Sequence, residues 1–157
     1  MLRNLLQKQR TIRYVTVDYC DPSCAARVDL VRAPFADQCF EAIICNHVLE
    51  HIPEDRAAMR ELWRILKPGG WAIIQCPIDP SRSSTYEDPR ITSSEDRQRE
   101  YGHYDHKRLY GTDYADRLRE SGFHVTVDPF VRNLPQADRT RFGLDEQEDI
   151  FLCAKTS

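Results

Sequence analysis

The chain has 157 residues, the length of one domain able to bury its own core, and we expect a single domain over residues 1–157. The fractions of hydrophobic residues (41%) and charged residues (30%) are ordinary for a globular protein. The net charge of −3 gives no electrostatic basis for binding nucleic acid. No stretch approaches the ~20 apolar residues of a membrane span and the opening MLRNLLQKQR lacks the apolar core of a signal peptide, so we expect a cytoplasmic protein.

The first part of the chain predicts a helix followed by two short strands. Three leucines within residues 2–6 lie on one face of a short helix. Residues 13–17 are rich in β-forming side chains and end at Asp18. Residues 27–30 predict a second strand, which a polar loop follows.

The cysteines predict core thiols better than a disulfide or metal framework. Several of the six lie in predicted buried strands, where free cysteine packs as a small hydrophobe. Only Cys20 and Cys24, in CDPSC, have a ligand-like spacing, and no second pair follows to complete a tetrahedral zinc site. The sequence therefore predicts no metal site.

The clearest pattern lies between Phe40 and Gln75 and predicts a strand, a helix and a second strand. Residues 42–45 form a short apolar run, which suits a parallel strand covered on both faces. Pro53 presets the first helical turn, and a buried stripe follows at helical spacing: Met59, Leu62, Trp63 and Leu66. Lys67-Pro68-Gly69-Gly70 then ends the helix and turns the chain into an apolar strand over residues 71–76.

The C-terminal half predicts an irregular connection, a helix and two final strands. Residues 79–100 lack periodicity, and so long a connection is usually functional or disordered. Its Tyr86-Glu87-Asp88 either contacts a substrate or is solvated. Residues 112–122 predict a helix, and residues 123–129 and 149–153 predict strands joined by a long connection.

Two ordered motifs carry a family resemblance. CNHVLEHI, residues 45–52, follows the first buried strand, and RILKPGGW, residues 64–71, spans the helix end and the turn. With Pro34-Phe35, Asp37 and Phe40-Glu41 at the matching spacing, the chain resembles the type 11-like group of class I S-adenosylmethionine-dependent methyltransferases, roughly from residue 14 to residue 153. The stretch YGHYDHKRLYG, residues 101–111, resembles a segment of the same group and adds a second histidine cluster.

The resemblance implies an α/β, Rossmann-like fold with a mostly parallel sheet and a C-terminal antiparallel hairpin. The family strand order is 3-2-1-4-5-7-6, and a glycine-containing cofactor loop follows its first strand. The first glycine here is Gly69, so we expect that strand and loop to be missing. The gap would lie between the strands ending at Asp18 and Asn46, and we expect a homo-oligomer or a partner that supplies a strand.

The resemblance also assigns site residues. For S-adenosylmethionine, Asp18 would accept from the ribose hydroxyls, Asp29 from the adenine amino group, Leu30 would pack beside the ring, and Asn46 would line the methyl-transfer region through its backbone. We expect weak binding, because these contacts cover mainly the adenosine half. Either aspartate could instead cap a turn. His47 or His51 is the candidate catalytic base, and each could instead be a packing residue.

The implied function is methyl transfer from S-adenosylmethionine to an unidentified small-molecule acceptor. The alternative is a protein of the same fold without activity, acting as a binding or assembly partner. A remote alternative is a zinc peptidase, because residues 47–51 also spell H-x-x-E-H. That motif needs a regular helix, and Pro53 lies only two residues beyond His51.

Overall fold

The computed structural model describes residues 6, 8, 9 and 11–156, and the chain divides into two compact units, Met1–Pro34 and Phe35–Ser157. Of the helix predicted within residues 2–6, only Leu6 is among the described residues. A single domain over residues 1–157 stays a prediction. Among the described residues, no helix has both the length and the apolar character needed to cross a bilayer.

The first unit holds a two-stranded parallel sheet made of β1 (Val17–Asp18) and β2 (Ala26–Arg27). Both strands are shorter than predicted. The Asp18 carboxylate accepts hydrogen bonds from the amides of Cys20 and Asp21 at 2.7 and 2.8 Å, and these bonds turn the chain where β1 ends.

The strand predicted over residues 27–30 ends early because the next residues form a 3-10 helix, Leu30–Arg32. The Asp29 side chain accepts from the Val31 amide at 3.0 Å and caps this helix.

The second unit is built on a four-stranded sheet in the order β3-β4-β6-β5, with β3 at Phe40–Asn46, β4 at Leu66–Gln75, β5 at His124–Asp128 and β6 at Ile150–Ala154. The β3–β4 pair is parallel, whereas β6 runs antiparallel to both β4 and β5. This arrangement confirms the α/β prediction and corresponds to the 4-5-7-6 portion of the family order.

Four α-helices of the described residues lie between or beside these strands along the chain: α1 at Asp55–Ile65, α2 at Ser94–Tyr101, α3 at Tyr114–Glu120 and α4 at Gln136–Phe142. Two further 3-10 helices occur at Leu49–His51 and Phe130–Asn133. As predicted, α1 buries one apolar face, formed by Ala58, Met59, Leu62 and Ile65. Trp63 is only half-buried.

The segment Lys67–Gly70 does not form the free turn that the sequence predicts. Phe40 pairs with Leu66 and Ala42 with Trp71, so these residues bulge out of β4 while it continues along β3. Gly69 has a φ of +75°, and a Cβ on Gly70 would lie 2.8 Å from the Glu41 carbonyl oxygen. The two glycines thus permit a bulge packed against the neighbouring strand.

The thiols divide into two groups. Cys45, Cys76 and Cys153 are buried in or beside the four-stranded sheet, which confirms core thiols at these positions, and burial raises the pKa of Cys45 to about 12. The other three cysteines, at positions 20, 24 and 39, are partly or fully exposed.

The edge strand β3 is relevant to the prediction of a strand-supplying partner. Within the described residues β3 pairs only with β4, and it forms the edge of the four-stranded sheet. Association through a strand from another chain stays a prediction.

A buried lysine joins the C-terminal end of the sheet to α1. Lys155 is 5% exposed, and its ammonium donates to the carbonyls of Trp63 and Leu66 at 2.9 Å each. The same nitrogen lies 3.8 Å from the centroid of the Trp63 ring. Burial lowers the pKa of Lys155. The cation thereby satisfies carbonyls at the end of α1 that would otherwise lack partners.

A buried ionic cluster fixes the beginning of α1. Asp55 is 3% exposed, and its two carboxylate oxygens accept from Arg117 at 3.0 and 2.8 Å. The Tyr110 hydroxyl donates to the same carboxylate at 2.8 Å, and the Arg108 guanidinium lies 3.7 Å away. The carboxylate therefore joins the start of α1 to Arg108, Tyr110 and Arg117, which lie more than 50 residues further along the chain.

We predict that Asp55→Ala lowers the free energy of unfolding by about 3–5 kcal/mol, because it removes the buried counter-charge of two guanidinium groups and leaves them only the half-exposed Glu87. Urea denaturation measures the change. Glu120→Ala is the matched control: it removes an exposed ion pair with Arg56 and should cost less than about 1 kcal/mol. Equal stability of the two variants would contradict a structural role for the cluster.

Candidate functional site

The site begins where β3 ends. His47 follows Asn46 directly and has a φ of +55°, in the left-handed region that non-glycine residues seldom occupy. Its amide donates to the Gln75 carbonyl at 2.9 Å, while its side chain is 61% exposed. Backbone strain of this kind concentrates at functional sites. The conformation carries the imidazole out of the sheet beyond the carboxyl end of the strand.

A buried carboxylate lies beside this imidazole. Glu50 is 2% exposed, and its Oε1 lies 3.5 Å from Nδ1 of His47. Its Oε2 accepts from the Cys76 thiol at 3.2 Å. Burial and the neighbouring Glu50 raise the pKa of Cys76, so the thiol stays a neutral donor. Sequence analysis did not single out Glu50 as a partner for His47, although the two are three residues apart.

Arg108 holds the turn that carries these groups. Its Nη1 donates to the carbonyls of Leu49 and Ile52 at 3.0 and 2.6 Å, and its Nη2 donates to the Pro53 carbonyl at 2.6 Å. The turn contains a 3-10 helix of three residues, Leu49–His51, preceded by His47 in the left-handed conformation. Residues 47–51 therefore do not form the regular helix that an H-x-x-E-H peptidase requires.

Three imidazoles meet beside the turn. The rings of His51, His103 and His106 have centroids 4.7–5.7 Å apart. Each offers a nitrogen, and these nitrogens lie within 4.8 Å of one another. Nδ1 of His51 lies 3.3 Å from Oδ2 of Asp105, and Nδ1 of His103 accepts from the Asp105 amide at 3.2 Å. The fold thus brings the two histidine motifs together, with His51 rather than His47 in the cluster.

The pKa values of two members of this group, His106 and Asp105, are lowered by their surroundings. Burial lowers the pKa of His106, and the nearby His51 and His103 lower it further against the opposing effect of Glu50. Partial burial raises the pKa of Asp105, but Lys107 and His51 outweigh that effect, so the pKa lies below its ordinary value. The cluster consequently places an ionised Asp105 carboxylate beside a His106 imidazole whose charged form is disfavoured.

Tyr86, Glu87 and Asp88 make contacts within the fold, and whether they also contact a substrate stays open. The Tyr86 amide donates to the Leu109 carbonyl and the Leu109 amide to the Tyr86 carbonyl, both at 2.9 Å. Glu87 accepts from Arg108 at 3.0 Å, and Asp88 pairs with Arg90 at 2.6 Å. These residues brace the segment that carries Arg108.

The predicted cofactor residues occupy the following places. In the first unit, Asp18 and Asp29 are exposed and each caps a turn, and Leu30 begins a 3-10 helix. In the second unit, Asn46 is the last residue of β3 and pairs with Gln75. The capping role that the sequence left open for both aspartates is thus present, and their role toward a cofactor stays a prediction.

Comparison with known proteins finds one matching family model and several curated relatives. Residues 2–74 match a family model described as a methyltransferase domain. Over 58 residues the chain is 31% identical to the ubiquinone/menaquinone biosynthesis C-methyltransferase UbiE of Desulfotalea psychrophila, an alignment covering 37% of this chain and 24% of that protein. Over 97 residues it is 34% identical to the arsenite methyltransferase of Aquipseudomonas alcaligenes, which covers 60% of this chain and 25% of that protein.

The alignments with these curated relatives therefore span about a quarter of the relatives' own length. Among solved structures, a methyltransferase-like protein of Bacillus halodurans superimposes with a TM-score of 0.53 at 18% identity, covering 90% of this chain and 78% of that chain. At this identity the likeness shows the fold alone.

We predict that Arg108→Lys loosens the turn over residues 49–53, because an ammonium cannot reproduce the planar fork that reaches three carbonyls. The loss should lower the local opening free energy by roughly 1.5–3 kcal/mol. Amide hydrogen exchange at Lys107, whose amide donates to the Glu50 carbonyl, measures it. Arg90→Lys, at a side chain that is 88% exposed, should leave that exchange unchanged. Equal protection in both variants would contradict the clamp.

Proposed function

We propose that this chain transfers a methyl group from S-adenosylmethionine to a small-molecule acceptor, because residues 2–74 match a methyltransferase-domain model and the four-stranded sheet has the 4-5-7-6 portion of the class I strand order. The observation that carries the proposal is the strained His47 beside the buried Glu50, at the carboxyl end of β3. Ligands of open α/β sheets bind at the carboxyl ends of the strands.

The residues of the first unit fit the adenosine part of this cofactor. Hydrogen bonds from the amides of Asp21 and Cys20 lower the pKa of Asp18, so the exposed carboxylate is ionised at neutral pH. Both bonds go to Oδ1, which leaves Oδ2 outside them. An ionised carboxylate with an oxygen facing solvent suits the two hydroxyls of a ribose. Asp29 and Leu30 would follow it along the same face of the adenosine.

His47 is the better of the two candidate bases. Its imidazole is exposed to a substrate, while Glu50 would stabilise the positive charge that the ring acquires on taking a proton. His51 is packed against two other imidazoles and faces Asp105. When bound, the cofactor supplies an electrophilic sulfonium methyl. The chain would align the acceptor and remove its proton at Nε2 of His47.

The acceptor class follows from charge and from the relatives. The net charge of −3 does not favour nucleic acid. The relatives are named for ubiquinone and menaquinone biosynthesis and for arsenite, and none of these names refers to a macromolecule. We therefore propose a small acceptor that carries an ionisable hydroxyl, carbon acid or thiol.

We predict that the 157-residue chain binds S-adenosylhomocysteine with a dissociation constant weaker than the low micromolar range, measured by calorimetric titration. Asp18→Asn should weaken it at least about tenfold, because the amide keeps an oxygen for the turn but loses the charge-assisted bonds to the ribose. Asp116→Ala, at an exposed carboxylate, is the control. Low-micromolar binding, or equal binding by the two variants, would contradict these contacts.

We predict that His47→Gln lowers kcat by about 100-fold or more, the usual contribution of a general base, without changing the affinity for S-adenosylhomocysteine. Methyl-labelled cofactor and a panel of phenolic, thiol and arsenite acceptors provide the assay. His124→Gln, at an exposed position of β5, should keep full activity. Full activity of His47→Gln would remove it as the base. A chain that binds no cofactor and methylates no acceptor would favour the alternative, a binding partner without activity.

A further inference from the structure

The three-histidine cluster is not used by the proposed methyl transfer. His51 comes from the turn after β3, whereas His103 and His106 lie 52 and 55 residues further along. The fold nevertheless brings one nitrogen of each within 4.8 Å of the others. Three imidazole nitrogens gathered at this spacing are a donor set that one transition metal ion can share.

One buried nitrogen of the cluster faces a carboxylate without a well-aligned hydrogen bond among the described residues. Nδ1 of His51 is buried and lacks a partner of hydrogen-bonding geometry among the described residues. The carboxylate of Asp105 lies 3.3 Å from it, close enough for an ion pair but without that alignment. Metal-binding histidines commonly present one nitrogen to the ion and the other to a carboxylate, which fixes the ring and increases its basicity. Asp105 is placed for this role, and Nε2 of His51 is then the ligand.

We propose that His51, His103 and His106 bind a divalent transition metal ion, Zn²⁺ by preference, with a fourth position open to water or to an acceptor atom. Imidazole nitrogens suit Zn²⁺, and three protein ligands with an open position are the pattern of catalytic zinc sites. Zn–N bonds of about 2.0–2.1 Å need the three nitrogens closer than they now lie, by on the order of 1 Å, which side-chain rotation supplies.

Metal binding changes one hydrogen bond that can be observed. Nδ1 of His103 now accepts from the Asp105 amide at 3.2 Å. Coordination through Nδ1 would replace this bond, and coordination through Nε2 would place a proton on Nδ1 and break it. In either case the amide resonance of Asp105 should shift when the ion binds.

The histidine site is distinct from the Cys20/Cys24 pair, the ligand-like spacing that the sequence analysis judged insufficient for zinc. Cys20 and Cys24 lie in the first unit, and a Co²⁺ ion held by their thiolates would show a thiolate charge-transfer band. A Co²⁺ complex of the histidine cluster would show d–d absorption without that band. The spectrum therefore identifies which set of side chains holds the ion.

The test uses tag-free protein, Zn²⁺ in competition with a chromophoric chelator, and Co²⁺ for the spectrum. We expect one ion per chain. His103→Ala and His106→Ala should each weaken binding at least 100-fold, and Asp105→Asn, which removes only the carboxylate facing His51, about 10-fold to 100-fold. His124→Gln and the double variant Cys20→Ser/Cys24→Ser should bind as the parent does.

Substoichiometric binding by the parent would overturn the proposal. So would undiminished binding by the His103 and His106 variants, which would mean that the rings only pack together. Far-UV circular dichroism identifies a histidine variant that has lost its fold. In that case the Zn²⁺ affinity of Asp105→Asn tests the proposal, because this variant keeps all three imidazoles. None of these readouts depends on methyl transfer, so failure of the proposed function leaves the test intact.

Discussion

The buried carboxylate of Asp55 is the interaction on which the second unit depends. It stands at the first residue of α1 and accepts from Arg117 in α3 and from Tyr110. A buried charge is tolerated only where counter-charges and hydrogen bonds replace its hydration. The start of the helix, the 108–110 segment and α3 are therefore fixed relative to one another by one carboxylate.

The same cluster reaches the candidate site through Arg108. This guanidinium lies 3.7 Å from Asp55 and also binds the carbonyls of Leu49, Ile52 and Pro53. The conformation of the turn between β3 and α1 thus depends on the same charges that hold the fold together. A carboxylate and an imidazole can be kept close without a regular helix because an arginine takes the place of the missing backbone hydrogen bonds.

The local elements of the second unit could be predicted from the sequence, because each follows from neighbouring residues. The apolar run before Asn46 predicts β3, and Pro53 with the stripe through Met59 and Leu62 predicts α1. The bulge at Lys67–Gly70 could not be predicted in the same way, since a Pro-Gly-Gly segment is equally typical of a free turn. Its outcome depends on pairing with a strand that begins 26 residues earlier.

The site could be predicted only in part. The position of His47 directly after a buried strand indicates a functional site at the carboxyl end of that strand, and the motif YGHYDHKRLYG indicates a second group of histidines. No sequence spacing shows that this group packs against His51 rather than His47, because the contact is set by the path of the chain between residues 79 and 101. The burial of Arg108 could not be predicted from the sequence either, since arginine is usually exposed.

Lys155 makes Trp63 a natural optical reporter. The ammonium stands over the indole ring at the point where the end of the last strand meets the end of α1. Indole emission responds to a nearby charge, so detachment of the C-terminal strand would alter the fluorescence of Trp63 even while the helix itself stays intact. The molecule thereby carries its own spectroscopic label for the step in which its chain end docks onto the sheet.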